Sequence, residues 1–176
     1  GSVYAKHVLG RKNPTIGLMS NGEEEGKGND ATRGAFDLLK SSDLNFKGNV
    51  EGRDLFMSPI DVIAIDGFSG NLVLKGCEAT AKALFKWLRQ ELKMTPFRAM
   101  GALMAKGAFK DTYQKSSYET YGGSLLLGVN GIVVIAHGSS SALAMKNAIR
   151  VACESISHAV NPHIEEEIAK HSLTPA

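Results

Sequence analysis

The apolar residues of this chain form two alternating patterns along its length. Short apolar runs bounded by turn residues predict β-strands at residues 15–20, 45–50, 61–66 and 131–136. Apolar side chains at helical spacing predict helices at about residues 30–40, 71–93, 96–112 and 140–159, with a short amphipathic helix near the start at residues 1–9. This order predicts an α/β fold, a three-layer α/β/α sheet. No repeat or linker interrupts the pattern, so residues 1–176 are interpreted as one domain.

Two of the strand candidates are almost continuously apolar. They are Asp61-Val-Ile-Ala-Ile-Asp66 and Gly131-Ile-Val-Val-Ile-Ala136. Strands of this kind are typical of the centre of a parallel sheet, where helices cover both faces. We therefore expect both runs to be central strands.

Charge is unevenly distributed along the chain. The whole sequence has a formal net charge of +2, but nine Lys or Arg and only three acidic residues lie between Lys75 and Lys115. One basic segment on an otherwise acidic protein indicates an acidic partner or an anionic membrane surface. Nucleic acid is not among the expected partners.

The two cysteines and the length of the apolar stretches indicate the redox environment of the protein and whether it could span a membrane. Cys77 and Cys153 form no disulfide framework, which favours a reducing, cytoplasmic environment, and both are expected on buried helix faces. The longest apolar stretch, residues 125–136, is too short to span a bilayer, which requires ~20 residues.

The basic segment also carries a predicted helical hairpin at about residues 84–112, which we expect to project from the sheet. Its first helix has a basic stripe of Lys82, Lys86, Arg89 and Lys93. Its second helix restarts at Pro96, and the tip carries Phe97, Met100, Leu103 and Met104. Three interpretations stay open for the apolar residues: packing between two helices, a dimer surface, or an interfacial membrane contact.

A glycine-rich segment follows the first strand directly. It reads Asn21-Gly-Glu-Glu-Glu-Gly-Lys-Gly-Asn29 and leads into a helix. Glycines permit close backbone approach, and a helix N-terminus offers unpaired N–H groups, so Gly26, Lys27 and Gly28 are candidates for cradling an anion. The three glutamates would repel an anion unless they are turned outward or paired. The segment fits neither the P-loop nor the dinucleotide fingerprint, and an ordinary polar turn remains the alternative.

Polar clusters also follow the other predicted strands. Asn49, Glu51 and Arg53 follow the second strand, Asp66 to Asn71 follow the third, and His137 to Ser141 follow the last. Because ligands in open α/β sheets bind beyond the carboxyl ends of the strands, these clusters are expected at one edge. The acidic and histidine residues near the C-terminus have no recognised metal-ligand spacing, so no metal is predicted.

Taken together, these blocks resemble the phosphate acyltransferase family of bacterial phospholipid synthesis. The resemblance is carried by Gly22-Glu-Glu-Glu-Gly-Lys-Gly-Asn29, Asn45-Phe-Lys-Gly-Asn-Val-Glu-Gly-Arg-Asp54, Asp66-Gly-Phe-Ser-Gly-Asn-Leu-Val-Leu-Lys75, Tyr121-Gly-Gly-Ser-Leu-Leu-Leu-Gly128 and Ala136-His-Gly-Ser-Ser140. It implies a Rossmann-like fold related to phosphotransacetylases and isopropylmalate dehydrogenases, and a homodimer. Family members are about twice as long, so we expect this chain to be the C-terminal portion of a longer enzyme.

The resemblance also implies a reaction, transfer of a fatty acyl group from acyl carrier protein to inorganic phosphate. No cofactor is implied. Lys27 is then the candidate for contact with phosphate or the thioester oxyanion, with Asn29 and Asn49 as orienting donors. Asp66 and Asn71 would shape the site, with His137 at its edge. Glu51 and Arg53 are expected to pair with each other.

The same resemblance gives the hairpin two competing uses. The basic stripe suits an acidic acyl carrier protein, and the apolar tip suits peripheral membrane association. Two other functions stay open for the chain: a short-chain phosphate acetyl- or butyryltransferase that uses a coenzyme A thioester, and a non-catalytic membrane-docking fragment.

Overall fold

The structure is a computed structural model and describes residues 1–116, 120, 122–138 and 140–172. The chain divides into two compact units, Gly1–Asp66 with Glu154–Ala176, and Gly67–Cys153. The interpretation of residues 1–176 as one domain stays a prediction. Part of the block at Tyr121–Gly128 and Ser139 lies outside the described residues.

A parallel three-stranded sheet forms the centre of the first unit. Its strands are β1 (Ile16–Met19), β2 (Phe46–Val50) and β3 (Val62–Ala64), in the order β2-β1-β3, and both pairings are parallel. Ile16 and Leu18 of the middle strand are buried, as a central strand requires. The protein is therefore of the mixed α/β class with a Rossmann-like parallel sheet, as the sequence predicts.

Four helices belong wholly to this unit: α1 (Ser2–His7), α2 (Asp30–Lys40), α3 (Asp54–Met57) and the last helix of the chain (Val160–Ser172). Helix α2 packs on β1 and β2, and its only buried residue, Phe36, meets the Phe46 ring edge-on with centroids 5.2 Å apart. The amphipathic pattern of residues 30–40 predicts this helix over its observed range.

The second unit contains the helical hairpin and a short β-hairpin. Helix α4 (Gly67–Leu92) is followed by α5 (Pro96–Met104) and α6 (Lys106–Ser116), so the single helix predicted at 96–112 is two. Thr95 begins α5 because its hydroxyl accepts a hydrogen bond from the Arg98 N–H at 3.2 Å, and Pro96 occupies the first turn. The β-hairpin pairs β4 (Ser124–Leu125) with β5 (Val134–Ile135) in antiparallel fashion.

The prediction that residues 61–66 and 131–136 form central strands is wrong. Among the described residues, β3 pairs only with β1 and lies at the edge of its sheet, with its side chains half-buried. β5 belongs to a separate sheet, because the chain turns back at Gly128 and Gly131, whose φ angles of 81° and 147° suit glycine alone. An apolar run identifies a strand but not its neighbours.

Helix α7 (Ala142–Ser157) spans the boundary between the two units, and the last helix becomes α8 (Val160–Ser172). The buried stripe of α7 is Ala144, Ala148, Val151 and Ser155, at helical spacing. Cys153 lies off this stripe and is exposed, and Cys77 of α4 is only partly buried, so the expectation of two buried cysteines is wrong. Within the described part of the chain, no helix has the length and apolar character that crossing a bilayer would need.

A pair of stacked histidines joins α1 to α8. The rings of His7 and His163 are parallel within 18°, with centroids 3.8 Å apart. Partial burial holds the pKa of His7 below its usual value, and the imidazole of His163 and the ammonium of Lys6 act in the same direction. Glu166 and Glu167 oppose them more weakly. Protonation of His7 therefore costs more in the folded protein than in the unfolded chain.

We expect the thermal unfolding midpoint to fall as the pH decreases below about 6.5, the ordinary pKa of histidine. Unfolded His7 binds a proton more readily than folded His7, so its contribution to stability is complete above that pH and is lost as the pH drops through the folded pKa. Melting curves between pH 7.5 and 5.5 measure the slope. His7→Gln should flatten it, while His158→Gln, at an exposed position outside the stack, should leave it intact; equal slopes for all three proteins would contradict this assignment.

Candidate active site

The glycine-rich segment between β1 and α2 is held together by hydrogen bonds between its own residues. The Asn21 side-chain oxygen accepts a hydrogen bond from the Gly28 N–H at 2.8 Å, and the Lys27 N–H donates to the Glu24 carbonyl at 3.0 Å. Gly28 has a φ of +97°, a conformation that glycine adopts without strain. The segment is an ordered loop at the carboxyl end of the central strand. We call residues 20–29 the glycine loop.

Two of the three glutamates in the glycine loop are paired with cations of neighbouring elements. Lys40, at the end of α2, binds both carboxylate oxygens of Glu25 at 2.8 and 3.0 Å. Arg53, just after β2, donates a hydrogen bond to Glu23 and lies 3.4 Å from Glu51. The hydrogen bond to Glu23, with the Glu51 charge, raises the pKa of Arg53. The expected pairing of Glu51 with Arg53 is present, and the repulsion of an anion by this acidic run is largely compensated.

Lys27 is the exposed cation of the glycine loop. Its ammonium forms no hydrogen bond or ion pair with any residue that the structure describes. Its aliphatic stem lies over Gly22, where a Cβ would be only 2.8 Å from the Lys27 Cγ. Gly22 therefore makes room for the stem, and the charge at its end remains available to an anion.

Asn49 contacts the glycine loop from the neighbouring strand. It is 7% exposed, and its amide donates a hydrogen bond to the Glu24 carbonyl at 2.8 Å. The side-chain oxygen of Asn49 and the hydroxyl of Ser20 are buried and have no hydrogen-bond partner among the described residues. Leu18 lies opposite Asn49 in the sheet, so the side chains of Ser20 and Asn49 are on the same face. Asn49 thus fixes the backbone of the glycine loop.

Asn29 caps helix α2. Its side-chain oxygen accepts hydrogen bonds from the N–H and the hydroxyl of Thr32 at 2.9 and 3.0 Å. Arg33, one turn along, donates to the Gly28 carbonyl at 2.7 Å and pairs with Asp30. The Asn29 oxygen thus begins the helix. The expectation that the Asn29 amide orients a substrate as a donor stays a prediction.

The remaining candidates are Gly26, Asp66, Asn71 and His137. Asp66 is exposed and lies two residues after the end of β3. Lys27 follows β1 and Asn49 is the last residue but one of β2, so all three lie toward the carboxyl ends of strands in the same parallel sheet. Gly26 is exposed on the glycine loop. Asn71 and His137 belong to the second unit, where the His137 ring nitrogen lies 3.3 Å from the Lys75 ammonium. The expectation of four clusters at one sheet edge is therefore wrong for His137, because the strand before it belongs to the antiparallel pair.

Sequence reasoning missed three side chains that shape the glycine loop: Asn21, Arg33 and Lys40. Asn21 followed by a glycine is a recognisable turn signal, and Arg33 stands three residues after Asp30, the spacing of a helical ion pair. Nothing local marks Lys40, whose partner is fifteen residues earlier. Among the described residues, no three His, Cys, Asp or Glu side chains are grouped so that they could hold a metal ion.

Comparison with known proteins places these features in a family. The profile of the family described as Fatty acid synthesis protein matches residues 1–163. Curated proteins named phosphate acyltransferase are similar: that of Akkermansia muciniphila is 51% identical over 99% of this chain and 52% of its own length. Those of Leptospira biflexa and Pelotomaculum thermopropionicum are 47% and 49% identical over 97% and 96% of this chain, and over 51% and 49% of their own lengths.

The chain thus spans about half the length of the curated relatives it matches. Its glycine loop, buried asparagine and parallel sheet fall within the matched residues. The match covers most of the chain, and the chain belongs to the fatty acid synthesis protein family.

Proposed function

We propose that this chain contributes the phosphate-binding part of an enzyme that transfers a long-chain fatty acyl group from acyl carrier protein to inorganic phosphate. The observation that carries the proposal is the Lys27 ammonium, which no described residue pairs with, on an ordered glycine loop whose flanking glutamates are engaged by Arg53 and Lys40. The family match and the names of the relatives support acyl transfer to phosphate as the class of reaction.

The chemistry requires no nucleophile from the protein. A phosphate oxygen attacks the thioester carbonyl carbon, the C–S bond breaks, and the carrier thiol leaves with a proton while acyl phosphate is formed. What the protein must supply is position and positive charge for the phosphate and the developing oxyanion. Lys27 supplies the charge, with the backbone at Gly26 and Gly28 beside it, and Asn49 holds the loop in shape. Asp66, Asn71 and His137 remain proposed as residues that border the substrate.

The helical hairpin supports a role in recruiting partners. Lys82, Lys86, Arg89 and Lys93 are exposed, and an acidic carrier protein would be steered toward them. The tip residues are also exposed, Phe97 by 80% and Met104 by 85%, with Met100 and Leu103 between them. Exposed apolar side chains of this kind suit insertion into a membrane interface. We propose a cytoplasmic, peripherally membrane-associated homodimer.

Two alternatives remain. A short-chain phosphate acetyl- or butyryltransferase acting on coenzyme A thioesters would use the same glycine loop but would have no need of the basic hairpin. A membrane-docking fragment without catalysis would use the hairpin tip alone. Preference between thioesters separates the first alternative from the proposal, and phosphate binding separates the second.

The test uses a chimaera in which this chain replaces the matching segment of the Akkermansia muciniphila relative, so that a full-length protein is assayed. We expect the purified chimaera to form acyl phosphate from palmitoyl-acyl carrier protein and phosphate, detected as its hydroxamate. Palmitoyl-coenzyme A should serve less well. Because steering by exposed charges is screened by salt, the rate with the carrier protein should fall more between 50 and 300 mM NaCl than the rate with coenzyme A.

The unmodified relative is the positive control, and circular dichroism melting establishes that the chimaera is folded. A folded chimaera that uses only acetyl- or butyryl-coenzyme A would favour the short-chain alternative. A folded chimaera that uses neither donor and shows no phosphate binding by calorimetry would leave only the docking fragment.

A further inference from the structure

The hairpin of α4, α5 and α6 encloses an apolar groove that the proposed phosphate site does not use. Its volume is about 550 Å³, and its walls include Phe85, Leu88, Leu92, Ala102 and Phe109. At one end the Phe85 ring meets the Tyr113 ring edge-on, with centroids 5.4 Å apart, which holds α4 against α6. This volume lies in the range of small-molecule sites, about 300–1,000 Å³.

The charged residues of the groove have a single sign. Lys86, Arg89 and Lys93 line it, and no acidic residue in the described part of the chain does. None of these three cations has a side-chain hydrogen bond or ion pair with another residue that the structure describes. The acidic residues of α4 are already engaged, Glu91 by Arg98 at 2.9 Å and Glu78 by Lys75 at 3.5 Å. The groove therefore combines apolar walls with uncompensated positive charge.

We propose that the groove binds one single-chain amphiphile with a phosphate head, its alkyl or acyl chain against the aromatic and leucine walls and its phosphate beside Lys86, Arg89 and Lys93. Charge complementarity selects this occupant, because a neutral chain would leave the three cations without a counter-charge and a free phosphate would leave the walls in water. An acyl phosphate belongs to this class. The proposal concerns binding alone and does not depend on the acyl transfer proposed above.

The groove is distinct from the exposed tip. Phe97 and Leu103 do not line it, although they stand on the same helix as Ala102. A bilayer would contact the tip, whereas the groove has room for a single dissolved molecule. Lys82 also lies outside the lining, so the basic stripe is divided, with three of its four cations at the groove.

The experiment titrates the full chain with octyl, decyl and dodecyl phosphate below their critical micelle concentrations, in isothermal calorimetry without vesicles. We expect one saturable site per chain. Each added methylene should tighten binding about fourfold while the chain still finds apolar wall. Decyl maltoside, which has the same chain and an uncharged head, should bind more weakly than decyl phosphate.

Two pairs of variants locate the site. Ala102→Phe fills the groove and should weaken decyl phosphate binding about tenfold or more, while Ala108→Phe, exposed and outside the lining, should leave it unchanged. Arg89→Gln should weaken binding of decyl phosphate about two- to fivefold without affecting decyl maltoside, and Lys110→Gln should affect neither. Arg89 is exposed, so this pair remains informative if Ala102→Phe unfolds the protein.

Binding that appears only with phosphatidylglycerol vesicles, or that both phenylalanine variants weaken equally, would overturn the proposal and assign the hairpin to a membrane surface. Absence of saturable binding would also overturn the proposal, and a dimer that Ala102→Phe dissociates, measured by sedimentation equilibrium, would assign the groove to a second copy of the chain. Neither result bears on acyl transfer to phosphate, since no thioester is present in these titrations.

Discussion

Lys27→Ala is expected to lower acyl phosphate formation by the chimaera about 10²- to 10³-fold, the typical loss when one preorganised charge-stabilising group is removed. The ammonium has no partner among the described residues, so its removal breaks no ion pair. Substitutions at exposed sites of this kind usually change the free energy of unfolding by less than ~0.5 kcal/mol. Initial rates at saturating donor and varied phosphate, with chemical denaturation beside them, measure both quantities.

Two further variants make the Lys27 result specific. Lys47→Ala removes an exposed lysine from β2 and should leave turnover within about twofold, which controls for net charge. Lys27→Arg keeps the charge with a different geometry and should recover part of the rate. If Lys27→Ala retains full turnover, the ammonium has no role in the reaction and the assignment fails.

We also expect a large effect from Gly28→Ala, which should distort the glycine loop and lower the rate of acyl phosphate formation by the chimaera. At φ +97° an L residue is strained, at a cost of about 1–3 kcal/mol. A Cβ at this position would also lie 2.7 Å from Cβ and Cγ2 of Thr32. The N–H of Thr32 donates the hydrogen bond by which Asn29 caps helix α2. The backbone must therefore shift and loosen its hydrogen bond to Asn21. Urea denaturation of the chain and rates of the chimaera measure the two effects.

Gly26→Ala is the matched control for this prediction. No atom lies within 4 Å of a Cβ at Gly26, and its φ is not in the left-handed region. We expect it to preserve stability within about 0.5 kcal/mol, because a surface site without contacts tolerates a methyl group. If Gly26→Ala and Gly28→Ala lower the free energy of unfolding equally, the glycines matter through chain flexibility and not through the conformation of Gly28.

The parts of the fold that the sequence predicts well are those with a strong local signal. Helix α2 combines an asparagine cap, helical spacing around Phe36 and a terminal lysine, and its predicted and observed ranges agree. The neighbours of a strand depend on contacts between distant residues. The run at residues 131–136 therefore identified β5 without showing that its partner is Ser124–Leu125.

The candidate site shows the same division. Glycines and a lysine between a strand and a helix predict an anion-binding loop. The structure shows the loop's conformation, with Gly28 at a positive φ, and anion binding stays a prediction. The role of Asn49 could not be derived, since its hydrogen bond to Glu24 joins residues twenty-five positions apart. The same holds for the pair of Arg53 and Glu23, thirty positions apart, which turns a repulsive carboxylate into a structural contact.

The two ion pairs of the glycine loop tie it to both of its neighbours, through Lys40 at the end of α2 and Arg53 after β2. A loop held in this way is preorganised, so the phosphate that we propose as its ligand would not have to order it, and little conformational entropy would be lost on binding. Both pairs are exposed and are therefore weakened by salt. At the proposed phosphate site, high ionic strength is therefore expected to act twice on affinity, once by screening Lys27 and once by releasing the backbone that presents it.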